Sequence, residues 1–128
     1  MLNEYIPDVD KYLDDFVKLA QLQEQKTVLS AELDKFRAEI IATVTTDERF
    51  YSNSKPQSMT YINSTYLVNG YDEATSERLS YMLKELANLD KEITVLKGEL
   101  KKAEMMLSIF QTLSANSRNV IQVNEGDV

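Results

Sequence analysis

The chain has 128 residues, 21 acidic and 14 basic side chains, a net charge of −7, and no Cys, His or Trp. This composition excludes disulfides and thiolate metal sites, and it lacks the side chain that most often acts as a general base near neutral pH. Only three Gly and two Pro are present, which favours a few long elements over many short ones.

The first predicted element is a helix over about residues 8–46. Its apolar residues recur at intervals of three and four, and several Asp residues fall in its first turns, where the helix dipole favours negative charge. The apolar repeat is interrupted between Leu22 and Leu29, where Gln25 and Lys26 stand instead. We predict a local unwinding or a changed neighbour there.

The second predicted element is a short β-hairpin within residues 50–71, where Lys55 is the one charged residue. Ser58–Ile62 and Thr65–Val68 have the composition of two strands around a turn at Asn63-Ser64. Tyrosines among Ser and Asn are typical of recognition surfaces. The predicted partner-binding residues are Tyr51, Tyr61, Tyr66, Tyr71 and Met59. Two alternatives stay open: the aromatic residues seal the helix ends, or hairpins of two copies pair into one sheet.

The third predicted element is a helix over about residues 73–114, which Asp72 is suited to cap, although Thr75 or Ser76 could serve as the cap instead. Its apolar residues alternate at spacings of three and four, the pattern of a coiled-coil seam. The predicted core positions are Leu79, Met82, Leu86, Leu89, Ile93, Leu96, Leu100, Ala103, Leu107 and Phe110.

Two helices of similar length, joined by a connection of this size, are expected to pack antiparallel. The predicted fold class is therefore mainly α: a coiled-coil hairpin of two long antiparallel helices joined by a short β-hairpin. Residues 1–114 are expected to form one domain and residues 115–128 a polar tail. Because both helices carry apolar residues outside the main stripe, we expect a homo-oligomer or a component of a larger protein assembly.

Several function classes are disfavoured by the sequence. We find no catalytic motif, no cofactor motif and no metal-ligand spacing, so we expect a protein that is not an enzyme and uses no cofactor or metal. No basic stripe is present, which argues against nucleic acid as a ligand. No apolar stretch approaches the roughly 20 residues of a membrane span. We expect a cytoplasmic protein, or a virion-associated one if its source is a virus.

The leading interpretation is a structural or interaction protein that forms oligomers and presents a recognition surface rich in Tyr, Ser and Asn. The helix–hairpin–helix layout of residues 8–114 resembles that of prefoldin subunits, and this resemblance implies a chaperone that holds client proteins. A different interpretation is a small acidic inhibitor or adaptor, for example encoded by a phage, that binds a host protein and mimics nucleic-acid charge.

Overall fold

The structure is a computed structural model that describes the backbone of residues 8–126 and the side chains of residues 8–117. It contains two long helices, α1 (Val9–Thr46) and α4 (Glu73–Gly126). We call the residues between them, 47–72, the connector. The connector contains a 3₁₀ turn (Glu48–Phe50), α2 (Met59–Tyr61), a π-helical turn (Ile62–Tyr66) and α3 (Leu67–Asn69). The mainly α class is thus confirmed.

The predicted β-hairpin is wrong. Residues 59–69 are helical, and the described residues contain no strand, only an isolated antiparallel bridge between Ser52 and Lys55. Asn53 and Ser54 form the turn within that bridge with φ values of 55° and 64°, a left-handed pair as in type I′ turns. Strand pairing between copies at residues 58–68 therefore has no basis, and the prefoldin-like layout loses its middle element.

Residues 59–69 are helical because a helical backbone brings their apolar side chains to the core together. The Ser58 side chain accepts a hydrogen bond from the Tyr61 backbone N–H at 3.2 Å and caps the segment. The Leu67 N–H donates to the Ile62 carbonyl, five residues back, so the turn holds one residue more than an α-helical turn. As a result Ile62 is fully buried, and Tyr66 and Leu67 are both half-buried against the same core.

Helix α1 runs without a break through the predicted interruption near residues 22–29. Lys26 takes the place of an apolar residue in the row, four residues after Leu22 and three before Leu29. Its Nζ lies 2.5 Å from Oδ1 of Asp90 on α4, and both side chains are partly exposed. Of the two alternatives predicted here, the local unwinding is therefore wrong. A long Lys side chain can place its ammonium group at the edge of an apolar row without breaking the helix.

Helix α4 begins at Glu73, as predicted, and continues to Gly126, so the predicted end near residue 114 is wrong. The proposed tail is helical as far as residue 126, and its last two residues lie outside the described range. Of the predicted seam residues, Leu79, Met82, Ile93, Leu96 and Leu100 are buried. Four are half-buried: Leu86, Leu89, Ala103 and Phe110. Leu107 is exposed.

The chain divides into two compact units, each of which contains a part of α1 and a part of α4. Unit 1 joins α1 up to Leu22 with α4 from Glu92 onward, and unit 2 comprises Gln23–Lys91. The helices are antiparallel within each unit. In unit 1, Lys11 pairs with Glu99, while Lys18 and Leu22 line one groove with Glu92 and Val95. In unit 2, Lys26 pairs with Asp90, and the Arg78 guanidinium lies 4.3 Å from the centre of the Phe36 ring.

The main apolar cluster lies in unit 2 and combines all three parts of that unit. Helix α1 contributes four residues, α4 contributes two, and the connector contributes Ile62. The cluster consists of Leu33, Phe36, Ile40, Val44, Ile62, Leu79 and Met82. Ile62 thus anchors the connector to the helix pair.

Within residues 8–126, no helix has a stretch that is both long enough and apolar enough to cross a membrane.

Candidate functional site

The connector is held by a reciprocal cap at the start of α4. Oδ1 of Asp72 accepts a hydrogen bond from the Thr75 backbone N–H at 2.7 Å, and Oγ1 of Thr75 accepts from the Asp72 N–H at 3.1 Å. Thr75 also accepts from the Tyr71 N–H at 2.9 Å. This is the geometry of a capping box with Thr in the place usually held by Glu or Gln. The cap fixes the direction in which the chain enters α4.

The cap also makes stability depend on pH. The Thr75 N–H, and then its hydroxyl, hold the pKa of Asp72 below its ordinary value of 3.8. A carboxyl whose pKa is lower in the folded state stabilises the fold above its unfolded-state pKa, and this contribution is lost as pH falls through the folded-state pKa. We expect the stability advantage of the native protein over Asp72→Asn to shrink when the pH is lowered from 6 to 2.

Urea unfolding of both proteins, followed by circular dichroism at several pH values, measures that advantage. Asn is the matched replacement because it also caps helices and has the same shape without the charge. An advantage that stays constant over this range would contradict the assigned role of the Asp72 carboxylate.

The other end of the connector is fixed just after α1. Asp47 accepts a hydrogen bond from the Arg49 backbone N–H at 3.0 Å and forms an ion pair with its guanidinium at 2.6 Å. These contacts lower the pKa of Asp47, the largest cause being the side-chain hydrogen bond from Arg49. The Tyr51 hydroxyl donates to the Thr45 carbonyl at 3.0 Å. Tyr51 therefore has a structural contact within its own chain.

An aromatic cluster fills the interior of the connector. Phe50 lies at its centre, with its ring 5.8 Å from Tyr66 and 5.1 Å from Tyr71 between centroids. Tyr61 packs edge-on against Tyr66 at 5.6 Å. Partial removal from water, and then the neighbouring Tyr61, raise the pKa of Tyr66 above its ordinary value. Edge-to-face contacts of this kind hold rings in defined orientations.

The predicted partner-binding residues fall into two groups. Tyr51, Tyr66 and Tyr71 are half-buried and make intramolecular contacts. Met59 and Tyr61 are exposed, at 50% and 41%, and Val68 of the same helical segment is 57% exposed. We call Met59, Tyr61 and Val68 the connector surface. Sequence reasoning missed Phe50 and Ile62, although the four-residue spacing of Ile62 and Tyr66 was a signal for a helix with an inward face.

Unit 1 contains a half-open cleft of about 340 Å³ between α1 and α4. Polar side chains on its walls contact each other. Lys11 Nζ lies 3.0 Å from Asp15 and 3.7 Å from Glu99, and the Tyr12 hydroxyl donates to Glu104 at 3.4 Å. Among the described residues no group of three acidic side chains is placed to hold a metal ion.

No protein-family model matches this sequence, and neither a curated protein nor a solved structure matches it. Any function assigned to the chain therefore rests on its own residues and their geometry.

Proposed function

We propose that this chain is a non-enzymatic protein-interaction module that binds a protein partner through the connector surface and works within an oligomer or a larger protein assembly. The observation that carries the proposal is the exposure of Met59, Tyr61 and Val68 on a segment whose backbone is anchored. Large apolar side chains on a segment that is already ordered can bind a partner at a small cost in conformational entropy.

The chemistry of the connector favours an apolar site on the partner. Residues 50–71 contain no carboxylate and a single charged side chain, Lys55. Binding there removes no carboxylate of these residues from water. Removing a carboxylate from water costs free energy unless a charge on the partner compensates for it. The polar side chains around Tyr61 include Ser58 and Ser64, both exposed, which suit the polar rim of an interface.

The test compares two tyrosines in the same compact unit. Tyr61→Ser removes the aromatic ring from the connector surface, while Tyr81→Ser removes a more exposed ring, at 64%, from α4. We expect a partner captured from the native host by the immobilised protein to bind the Tyr61→Ser variant at least tenfold more weakly. The Tyr81→Ser variant should bind like the native protein. The measurement is a titration with the purified partner.

Equal losses in the two tyrosine variants, or no loss in either, would overturn the connector surface as the binding site. Circular dichroism of each variant provides the control for folding, since Tyr61 contacts Tyr66 and its loss must not melt the segment.

A second candidate function, the acidic adaptor or inhibitor, is favoured by the net charge of −7 and the run of acidic residues at the start of α1. Its binding would be electrostatic and would weaken strongly between low and physiological salt. Binding through the connector surface would change little over that range. The salt dependence of the same titration therefore separates the two candidates.

A further inference from the structure

Asn69 and Gly70 form the dipeptide in which an asparagine side chain reacts most readily with its own main chain. Asn69 is the one asparagine of eight that precedes a glycine. The reaction joins the Gly70 backbone nitrogen to Cγ of Asn69 in a five-membered succinimide ring. Glycine favours ring closure because it has no Cβ to obstruct the attack, and because its backbone rotates freely when the chain is unfolded.

The reaction changes a defined set of bonds and needs water as its co-reactant. As the new C–N bond forms, the Gly70 nitrogen gives its proton to water, and the side-chain nitrogen of Asn69 leaves as ammonia. One water molecule then opens the ring at either carbonyl group. The product in place of Asn69 is an aspartate or an isoaspartate, and in the isoaspartate the main chain is longer by one atom.

The fold keeps the two reacting groups apart. Asn69 is the last residue of α3. In the ring the Gly70 nitrogen must nearly eclipse Cβ of Asn69, whereas a helical backbone separates the two by about 80° of rotation. The Gly70 N–H also donates to the Tyr66 carbonyl at 2.9 Å, so the attacking nitrogen is held in a hydrogen bond. Gly70 lies close against α4, since an ideal Cβ there would be 2.6 Å from the Ser76 nitrogen.

The connector has a single buried anchor, which allows it to open while the rest of the chain stays folded. Ile62 is the one buried residue among residues 47–72, all of which the structure describes. The other connector residues that pack on the main apolar cluster are half-buried. A segment with few buried side chains opens at a lower free energy than the whole protein. Opening releases the Gly70 N–H and allows the rotation at Asn69.

We propose that Asn69 is a latent modification site, protected while the connector is folded and converted to isoaspartate or aspartate when the connector opens. The isoaspartate lengthens the main chain between α3 and the cap of α4. The hydrogen bonds from Gly70 to Tyr66 and from Tyr71 to Thr75 then no longer fit one backbone path. The reaction therefore holds the connector open. The inference concerns the connector itself and does not require that the connector surface bind a partner.

The first measurement compares the folded and the unfolded chain. Mass spectrometry of peptides from the full chain, incubated near neutral pH, detects conversion of Asn69 by the mass gained when ammonia is lost and water is added. We expect conversion to be at least about tenfold slower in the native protein than in the same chain unfolded in guanidinium. Equal rates in the two states would overturn protection by the fold.

Two truncations of buried side chains separate opening of the connector from unfolding of the whole chain. Ile62→Ala removes the anchor in unit 2, and Leu100→Ala removes a buried side chain from unit 1. We expect Ile62→Ala to speed conversion of Asn69 at least about tenfold, and Leu100→Ala to leave it within about twofold of the native rate. Equal acceleration by both variants, or none by Ile62→Ala, would overturn control by the connector.

If circular dichroism shows that Ile62→Ala does not fold, Ile62→Val replaces it, with an expected acceleration of about fivefold. Hydrogen exchange of the Gly70 amide reports the same opening independently, because exchange and ring closure both require release from Tyr66. The substitution at Ile62 should raise both rates by the same factor. Faster exchange without faster conversion would contradict the proposed link between opening and reaction.

Asn69→Asp is the matched control for the consequence of the reaction, because it adds the same charge and keeps the native length of the main chain. The isoaspartate form is isolated by chromatography. We expect the Tyr71 and Asp72 amides, which donate to Thr75, to exchange at least about tenfold faster in that form than in the native protein. Asn69→Asp should exchange them within about twofold of the native rate. Native exchange in the isoaspartate form, or equally fast exchange in both, would overturn the role of the added atom.

Discussion

Gly70→Ala is expected to lower the free energy of unfolding by about 3–5 kcal/mol. Gly70 has φ 74° and ψ 177°, a conformation that is essentially restricted to glycine. A Cβ atom built there would lie 2.6 Å from both the Ser76 backbone nitrogen and Oγ1 of Thr75. The first of these is backbone and the second is held in the cap with Asp72, so neither can move without opening the first turn of α4. Urea unfolding followed by circular dichroism measures the loss.

Gly98→Ala is the matched control for that substitution. Gly98 lies inside α4, and an added Cβ would find no atom within 4 Å. The same change of side chain should therefore stabilise the protein, by about 0.5–1 kcal/mol, because Ala is the better helix former. A stabilisation at Gly70, or a loss there no larger than the change at Gly98, would contradict the strained turn described for residues 70–76. The native protein, Gly70→Ala and Gly98→Ala are all measured at the same protein concentration.

Ile62→Ala is expected to cost about 3–4 kcal/mol. Ile62 is fully buried in the cluster shared by α1, α4 and the connector, and the substitution removes three carbon atoms from a packed interior. The other buried residues of the cluster belong to two long helices, whose backbones cannot close readily around the space. Unfolding in urea gives the total loss, and the near-ultraviolet signal of the tyrosines reports whether the connector loosens first.

Val68→Ala is the comparison within the same segment. Val68 is 57% exposed, so its truncation should change the free energy of unfolding by no more than about 0.5 kcal/mol. Similar costs at Ile62 and Val68 would mean that the connector is not anchored through Ile62. In that case the exposed side chains of the connector surface would lack the ordered backbone on which their proposed role depends.

The long helices were predictable because their signals are repeated many times along the chain. Helix α1 was expected over about 8–46 and runs over Val9–Thr46, and the start of α4 after Asp72 was identified from its capping chemistry. The end of α4 was not predictable in the same way. Residues 115–126 are mostly polar, and their composition fits an exposed helical continuation as well as it fits a tail.

The connector was mispredicted because local composition and tertiary packing point to different structures. Thr, Tyr, Ile and Val are all favoured in strands, and Asn63-Ser64 looks like a hairpin turn. The packing of Ile62, Tyr66 and Leu67 on one side requires helical spacing with one extra residue. Ile62 contacts two helices that are far from it in the sequence, and the identity of its neighbours in the chain does not predict those contacts.

The position of the aromatic cluster in the chain was predictable, but its internal contacts were not. The tyrosines of residues 50–71 suggested one recognition surface, whereas the structure leaves Met59 and Tyr61 exposed and half-buries the other three predicted residues. The roles of Tyr51 and Tyr71 depend on partners at Thr45 and Phe50, and such contacts follow only from the folded backbone.

The pairing of Lys26 with Asp90 also favours one alignment of the two helices in unit 2. A shift of α1 along α4 by one heptad would keep apolar residues opposite apolar residues. Apolar packing alone therefore distinguishes only weakly between the native and the shifted alignment. The shift would move Lys26 about 10 Å away from Asp90 and place its ammonium group beside a different set of side chains. A partly exposed ion pair of this kind adds little to stability. Its contribution is to make one alignment of the apolar rows better than its neighbours, at the one point where the row contains a charge.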